Sequence, residues 1–350
     1  WRRVGGCGCG ANGRSALFRT GSTLSVGSGI SAAGLLYGGA AGTLNGGSLT
    51  LAGNASGSNG GSATLSGTAL TLNSANQEDR WTVRDTSLSG SSTLTKTGNG
   101  TVTLSGTHTA NGTWNINAGT LVFTGTRDIT GGGQINIASG AVLDASGGRL
   151  FHAANYASNW EQPTITLNGG TLKLNQFGYN SASLGCWQNN FYALKFSSGT
   201  TSRVIISQGY ESGGTGSRGI YIAGWGTTAV IELGANQTFT WSSSNGQNFD
   251  SIVCESGAGS ALQLDVGENS VFNFDQKFAN KNTANEYGAP TTSNFSGLSL
   301  IKSGSGELVI KRANTISSGR AVRVDAGKLT LDVDNAFGTG SGLGGVNIAP

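Results

Sequence analysis

The sequence predicts an all-β chain folded as a single-stranded right-handed parallel β-helix, a solenoid with a few inserted loops. Three observations predict it. Glycine makes up 60 of the 350 residues, apolar residues come in short alternating runs, and one block of sequence occurs twice. Each interior glycine costs a helix roughly 1 kcal/mol against alanine. Only 11% of the residues are charged, whereas amphipathic helices need charged outer faces.

The repeated block contains a lysine, two closely spaced glycines and, further along, an alanine-glycine turn. Residues 94–104 (LTKTGNGTVTL) align with residues 300–310 (LIKSGSGELVI), and residues 116–121 (INAGTL) align with residues 324–329 (VDAGKL). Weaker copies of the pattern of glycine, small residue and alternating apolar residues occur at 47–51, 140–143 and 169–174. The predicted spacing of the units is roughly 20–30 residues, which is typical of solenoids. The positions that we predict to define the repeat are Lys96, Gly98, Gly100, Gly119, Lys302, Gly304, Gly306 and Gly327.

Alternation along each short strand predicts which side chains form the core, because successive residues of a strand point to opposite faces. Glycine and asparagine should occupy the corners between strands, where φ is positive or bulk is excluded. A sandwich or jelly roll of antiparallel hairpins stays open as an alternative, because Asn45-Gly46, Asn99-Gly100 and Asn111-Gly112 are typical hairpin turns. The residues predicted to point inward are Val102, Leu104, Ile116 and Leu121, and those predicted to point outward are Thr101, Thr103 and Asn115.

Composition divides the chain into two segments, and the second segment contains two unusual regions. Residues 1–20 differ from the rest and are predicted to be a poorly ordered N-terminal end, with Cys7 and Cys9 as a weak candidate metal or redox pair. Residues 21–350 are predicted to form the β-helical segment. Within it lie an aromatic-rich variant region (151–196) and a polar loop excursion (275–297). Cys186 and Cys254 could pair only if their strands lie close together.

The two repeated blocks resemble the passenger-associated transport repeat, also called the autotransporter-associated β-strand repeat. Residues 334–340 (DNAFGTG) also resemble the N-A-L-G-x-G segment that commonly follows such a unit. The resemblance implies a β-helical passenger of a type V secretion system, secreted or displayed at the cell surface after export across the outer membrane. It also implies an outer-membrane barrel in the same precursor. We interpret the chain, which begins at Trp1, as an internal piece of that longer protein.

We predict no catalytic, cofactor or metal site. The nearest sets of carboxylates, Glu78-Asp79-Arg80 with Arg84-Asp85 and Asp250 with Glu255 and Asp265, are interpreted as solvated surface. His108 and His152 are interpreted as loop or surface residues. The run at 213–219 lacks the Gly-Lys-Ser/Thr ending of a phosphate-binding loop. A net charge of +3 gives no reason to expect nucleic acid, and no apolar run is long enough for direct membrane insertion.

The resulting functional hypothesis is a non-enzymatic passenger segment that serves as an adhesin or an extended surface scaffold. Its expected partners are host or environmental glycans or surface proteins. Exposed aromatic rings beside amides could stack on sugars, although packing of an inserted loop explains the same rings. A carbohydrate-active β-helix enzyme, either a polysaccharide lyase or a glycoside hydrolase, and a fibre or stalk protein are the alternatives. The candidate ligand-binding aromatics are Tyr156, Trp160, Tyr179, Trp187 and Tyr192.

Overall fold

The structure is a computed structural model that describes the chain in segments. The described residues are 7–8, 16–18, 23–25, 28, 30–37, 42–58, 63–66, 68–74, 76–78, 80–83, 86–127, 133–150, 164–175, 194–197, 200–206, 220–222, 226–242, 251–254, 260–275, 277–280, 294–295, 298–316, 321–337 and 346–348. Regular structure within these segments is entirely β-strand. The chain forms two compact units, Trp1–Pro163 and Thr164–Pro350.

The first unit contains eighteen described strands, most of them two to five residues long. They are β1 (Cys7–Gly8), β2 (Ala16–Phe18), β3 (Thr23–Ser25), β4 (Ile30–Tyr37), β5 (Gly42–Asn45), β6 (Ser48–Ser58), β7 (Ala63–Ser66), β8 (Ala69–Asn73), β9 (Arg80–Val83), β10 (Thr86–Ser89), β11 (Thr93–Thr97), β12 (Thr101–Leu104), β13 (Thr107–His108), β14 (Trp114–Ile116), β15 (Thr120–Phe123), β16 (Thr126–Arg127), β17 (Gln134–Ala138) and β18 (Val142–Asp144).

One turn of the chain around the core is called a coil. Strands of the first unit pair with the strands of the preceding and following coils. One sheet has the order β2-β4-β6-β8-β11-β14-β17, a second β9-β12-β15-β18, a third β3-β5-β7-β10, and β13 pairs with β16. All of these described pairs are parallel. The antiparallel pairing of β1 with β2 is the exception among the described residues.

In-register stacking builds the core of the first unit as columns of like side chains. Leu72 of β8, Lys96 of β11 and Ile116 of β14 are register partners, so a lysine occupies a place in an apolar column. The predicted inward set, Val102, Leu104, Ile116 and Leu121, is fully buried, which confirms that prediction. The predicted outward set, Thr101, Thr103 and Asn115, is half-buried. Asn136 donates to Asn115 across 2.9 Å, so amides also stack between coils.

The second unit also contains eighteen described strands. They are β19 (Thr164–Asn168), β20 (Thr171–Leu174), β21 (Leu194–Phe196), β22 (Thr201–Ile206), β23 (Ile220–Ile222), β24 (Thr228–Leu233), β25 (Thr238–Ser242), β26 (Ser251–Cys254), β27 (Ser260–Val266), β28 (Val271–Asp275), β29 (Lys277–Asn280), β30 (Asn294–Phe295), β31 (Leu298–Ser303), β32 (Glu307–Ile310), β33 (Thr315–Ile316), β34 (Val322–Val324), β35 (Lys328–Leu331) and β36 (Val346–Ile348).

The second unit repeats the parallel arrangement, with aromatic side chains stacked between coils in its core. Its sheets have the orders β20-β22-β24-β27-β31-β34-β36, β19-β21-β23-β26-β29 and β25-β28-β32-β35, and β30 pairs with β33. Phe239 of β25 meets Phe272 of β28 with ring centroids 5.0 Å apart. Trp241 meets Phe274 at 5.8 Å, edge to face. Such edge-to-face contacts add about 0.5–1.5 kcal/mol to the burial of the rings.

Parallel sheets, in which each strand pairs with strands of neighbouring coils, are compatible with the predicted parallel β-helix. None of the three Asn-Gly pairs forms an antiparallel hairpin, because the strands on either side of each pair belong to different sheets. Asn45-Gly46 connects β5 to β6, Asn99-Gly100 connects β11 to β12, and Asn111-Gly112 connects β13 to β14. The positive φ of Gly46, 69°, turns the chain at a corner. Side-chain contacts between coils join residues 21 apart in the first unit, at Asn115 and Asn136. They join residues 33 apart in the second unit, at Asn236 and Asn269, so that coil is longer than the predicted 20–30 residues.

Two of the predicted special regions contain described strands. Strands β19, β20 and β21 lie within 151–196, and β29 and β30 lie within 275–297. The remaining residues of the excursion at 275–297 are almost all outside the described segments. The described residues form no helix of the length and apolarity that a membrane span requires.

Candidate functional site

The first lysine of the repeat lies inside the coil and donates hydrogen bonds to the turn that follows it in sequence. Lys96 is fully buried, and its Nζ donates to the carbonyl oxygens of Thr97 and Gly98, each at 2.8 Å. Its third hydrogen bond, 3.1 Å long, goes to the carbonyl of Ala118 in the next coil. A lysine ammonium has three donors, and this corner uses all of them.

The second lysine makes the same three hydrogen bonds. Lys302 is fully buried and donates to the carbonyl oxygens of Ser303 at 2.6 Å and Gly304 at 2.7 Å. It reaches the carbonyl of Ala326 in the next coil at 3.1 Å. The alignment made from the sequence therefore pairs residues that have the same neighbours. We call the arrangement of each lysine and its three acceptor residues a lysine corner.

Glycines allow the two coils of a lysine corner to approach each other. Gly98 and Gly304 turn the chain with φ of 72° and 73°, and Gly119 and Gly327 do so with φ of 62° and 73°. A Cβ on Gly119 would collide with the backbone oxygens of Gly98 and Gly100. A Cβ on Gly327 would collide with the equivalent oxygens of Gly304 and Gly306 and would lie 2.8 Å from the Nζ of Lys302.

Backbone hydrogen bonds between the coils are also duplicated. In the first corner Leu94 donates to Thr113 at 3.1 Å, Asn117 to Lys96 at 2.9 Å, and Thr120 to Gly100 at 3.1 Å. The second corner has the corresponding set of bonds at nearly the same lengths. These are Leu300 to Ala321 at 3.1 Å, Asp325 to Lys302 at 2.8 Å and Lys328 to Gly306 at 3.0 Å.

The two ammonium groups differ in their electrostatic surroundings. Burial lowers the pKa of Lys96 from 10.5 to about 8, because the interior disfavours the charged form. Burial also lowers the pKa of Lys302, but the negative charge of Asp265 opposes the change. Both groups can supply a buried positive charge to backbone oxygens. Since the acceptors are carbonyls of the chain itself, this chemistry is structural.

A second polar cluster lies inside the first unit, where β13 and β16 form the third side of the coil. The prediction that His108 lies at the surface is wrong, because its side chain is fully buried. Its Nδ1 accepts a hydrogen bond from the backbone N–H of Leu88 at 3.2 Å. Burial, reinforced by the charge of Arg127, lowers the pKa of His108 to about 4, although a backbone hydrogen bond at Ser105 opposes the shift. His108 is therefore neutral at pH 7.

Arg127 is the register partner of His108 on the following coil and is also fully buried. Its Nη2 donates to the carbonyl of Gly112 at 2.8 Å, and its guanidinium lies 4.7 Å from the ring centroid of Trp114. Trp114 in turn meets Phe123 edge to face at 5.2 Å. Stacking on an aromatic ring partly compensates a buried cation. No pattern in the sequence signals this cluster.

Of the predicted carboxylate sets, Asp265 lies in an ion cluster that the sequence did not indicate. Glu232 and Asp265 are register partners on neighbouring strands. Arg203 forms an ion pair with Glu232, and its Nη1 lies 3.7 Å from Asp265. Glu78 and Arg80 are exposed. The other carboxylates of the predicted sets, Asp79, Asp85, Asp250 and Glu255, lie outside the described residues, or their side chains do, as do Arg84 and His152.

The candidate ligand-binding aromatics cannot be placed in this arrangement. Tyr156, Trp160, Tyr179, Trp187 and Tyr192 lie outside the described residues, as do Cys9 and Cys186. In the part of the chain that the structure does describe, no group of three or more His, Cys, Asp or Glu side chains could hold a metal ion.

Comparison with known protein families links the first lysine corner to a described repeat. The model of the family described as Passenger-associated-transport-repeat matches residues 94–123, the segment that holds this corner. No curated protein and no solved structure matches the chain. The matched family is a passenger repeat and not a known enzyme family. Residues 94–123 are therefore a passenger-associated transport repeat of the kind found in autotransporter passengers.

Proposed function

We propose that the chain is a non-enzymatic passenger segment of an autotransporter-like protein, in which each unit is a single-stranded right-handed parallel β-helix. An outer-membrane barrel of the same precursor would export it, and it would serve outside the cell as an adhesin or extended scaffold. The observation that carries the proposal is the passenger-associated transport repeat at residues 94–123. The second lysine corner supports it, because Lys302 and its three acceptors repeat the geometry of Lys96.

The architecture suits a protein that folds after passing through a pore as an extended chain. Each coil contacts its neighbours in sequence, so coils can add one after another without long-range rearrangement. The low content of charged side chains, 11%, leaves few ion pairs to be formed. Backbone hydrogen bonds between parallel strands satisfy the main chain within each unit.

Surface display tests the proposal. The full chain is fused to an outer-membrane barrel in a Gram-negative host, and added protease and an antibody probe intact cells. We expect the antibody to bind intact cells and the protease to remove the signal. A Gly119→Ala variant, which disturbs the corner, should be displayed in a more protease-sensitive form. Retention of the folded chain inside the cell would contradict export.

Ligand binding separates an adhesin from a scaffold. The purified chain is applied to panels of immobilised glycans and extracellular proteins, in parallel with a variant in which Trp160 and Trp187 are replaced by alanine. An adhesin that uses the aromatic-rich region should bind one class of ligand and lose that binding in the variant. A scaffold should bind none of them.

A carbohydrate-active enzyme is the second candidate, and the pairing of Glu232 with Asp265 favours it. Glycoside hydrolysis uses two carboxylates that flank the scissile bond. Arg203 contacts both side chains, which also explains the cluster as a surface ion network. Turnover of a polysaccharide that is lost in both Glu232→Gln and Asp265→Asn would favour the enzyme. Absence of turnover across a broad polysaccharide panel would favour the passenger.

A further inference from the structure

The position of each lysine is unexpected for a charged side chain. Lys96 lies in a column between Leu72 and Ile116, and Lys302 lies between Leu264 and Val324. An apolar side chain would continue either column. Burying an ammonium group is costly unless hydrogen bonds compensate it. The compensation here comes from carbonyl groups of two successive coils, which leucine could not bind.

We propose that each lysine is an inter-coil clasp, which makes the coil with the lysine and the coil with the alanine-glycine turn open and close as one unit. The clasp is a conformational device of the fold. It deepens the proposed function and rests on it for one consequence, namely that the clasp forms after export, when the following coil is added. The coupling itself is a property of the folded chain.

Geometry carries the assignment. Lys96 donates two of its hydrogen bonds within its own coil, to the carbonyl oxygens of Thr97 and Gly98. These two bonds hold the third donor in a fixed direction. Ala118 supplies the acceptor for that third donor from the next coil. Opening of either coil breaks this bond and leaves a buried ammonium without one of its acceptors. Because such bonds are charge-assisted, their loss costs more than the loss of an ordinary hydrogen bond.

Register makes the clasp specific for the following coil. A shift of one residue between the strands β11 and β14 would reverse the side chains relative to the core. Gly119 would then leave its place against the oxygens of Gly98 and Gly100, where no larger residue fits. The lysine and the alanine-glycine turn therefore form two halves of one contact.

Amide hydrogen exchange of the full chain tests the clasp in the Lys96→Leu and Lys302→Leu variants. Asn117 and Thr120 report on the first corner, and Asp325 and Lys328 on the second. In Lys96→Leu we expect Asn117 and Thr120 to exchange about tenfold faster, as the loss of a charge-assisted bond predicts, while Asp325 and Lys328 keep their rates. Lys302→Leu should give the reverse result, so that each corner is the control for the other.

Further variants separate a clasp from a general contribution to stability. Thr95→Leu changes the outward neighbour of Lys96 on the same strand and should leave Asn117 unchanged. An equal increase at all described amides of the first unit would overturn the proposal, and so would no change at Asn117. If Lys96→Leu does not fold, Lys96→Gln provides the test. Faster exchange at Asn117 in Lys96→Gln supports the clasp, and unchanged exchange overturns it.

Failure of the clasp and failure of the proposed function give different results. Exchange is measured on the purified chain and does not depend on secretion. A chain that fails to reach the cell surface but loses protection locally in Lys96→Leu would retain the clasp and lose the passenger function. A chain that is displayed at the cell surface but shows unchanged exchange in Lys96→Leu would retain the passenger function and lose the clasp.

Discussion

The two lysine corners have the same interior and different exteriors. Inside, Lys96 and Lys302 bind equivalent carbonyls at nearly equal distances. Outside, the register pair Thr101 and Thr120 of the first corner corresponds to the charged pair Glu307 and Lys328 of the second. The comparison shows which contacts the repeat requires. Glycine positions and the buried ammonium are common to both copies, whereas the outward side chains vary.

The largest loss of stability is expected from substitution of Gly119, which lies against the backbone of the preceding coil. Gly119→Ala should destabilise the first unit by more than about 4 kcal/mol, because a Cβ at positive φ costs about 1–2 kcal/mol and also meets fixed backbone oxygens. Gly327→Ala should cost about as much, since its Cβ would meet the equivalent backbone oxygens of Gly304 and Gly306. The free energy of unfolding is obtained for each unit from amide exchange.

Gly46→Ala is the matched control for both glycine variants. Gly46 also has a positive φ, 69°, but a Cβ added to it would meet no other atom within 4 Å. Gly46→Ala should therefore lower the free energy of unfolding by about 1–2 kcal/mol, the cost of a Cβ at positive φ. Equal losses in all three variants would show that close approach of the coils contributes nothing.

The pH dependence of stability should distinguish the two ammonium groups. The pKa of Lys96 is about 8 in the folded chain and 10.5 as the ordinary value, so the unfolded chain binds more protons between these values. The free energy of unfolding of the first unit should therefore be flat below about pH 8 and rise towards pH 10.5. The rise contributed by Lys96 is at most about 3 kcal/mol.

The contribution of Lys96 is isolated as the difference between the wild type and Lys96→Leu across this pH range. The same difference for Lys302→Leu should be smaller, because Asp265 opposes the lowering of the pKa of Lys302. A fall in the stability of the first unit between pH 8 and 10.5, relative to Lys96→Leu, would contradict the sign derived from burial.

Much of each lysine corner could be predicted from the sequence, because the repeat and the strand alternation both constrain it. The sequence predicts Lys96 as a repeat position and not as an inward residue, although it has the same parity as the buried Leu94. The geometry of its acceptors required coordinates, since nothing in the sequence says that Ala118 lies opposite the ammonium. The pairing of Glu232 with Asp265 was hidden by the coil length of the second unit, where contacts between coils join residues 33 apart. His108 and Arg127 lie inside without any local pattern that marks them.

A smaller effect should follow from removing the carboxylate near the second lysine. Asp265→Asn removes the negative charge that raises the pKa of Lys302, so that pKa should fall further. Lys96 has burial as the cause of its shift and should not respond. Titration of the lysine side-chain resonances by NMR measures both groups in one sample. A lower pKa at both lysines, or at neither, would contradict the conclusion that Asp265 acts on Lys302 alone.

The smallest effect is expected at the outward pair that distinguishes the corners. Lys328 lies 2.9 Å from Glu307, and Thr330 donates to the same carboxylate at 2.5 Å. These hydrogen bonds lower the pKa of Glu307. The stability that they contribute is therefore complete above the ordinary pKa of 4.5 and is lost as the pH falls through the lower folded value. Glu307→Gln should cost about 1 kcal/mol or less at pH 7, as exposed pairs do.

Transplanting the pair completes the comparison. The double variant Thr101→Glu, Thr120→Lys gives the first corner the outward charges of the second, and each single variant is its control. We expect the coupling between the two changes to stabilise the first unit by at most about 1 kcal/mol and to disappear in concentrated salt. Exchange at Asn117 should follow Lys96 and not this pair. A coupling as large as the effect of Gly119→Ala would mean that outward charges, and not the buried corner, hold the coils together.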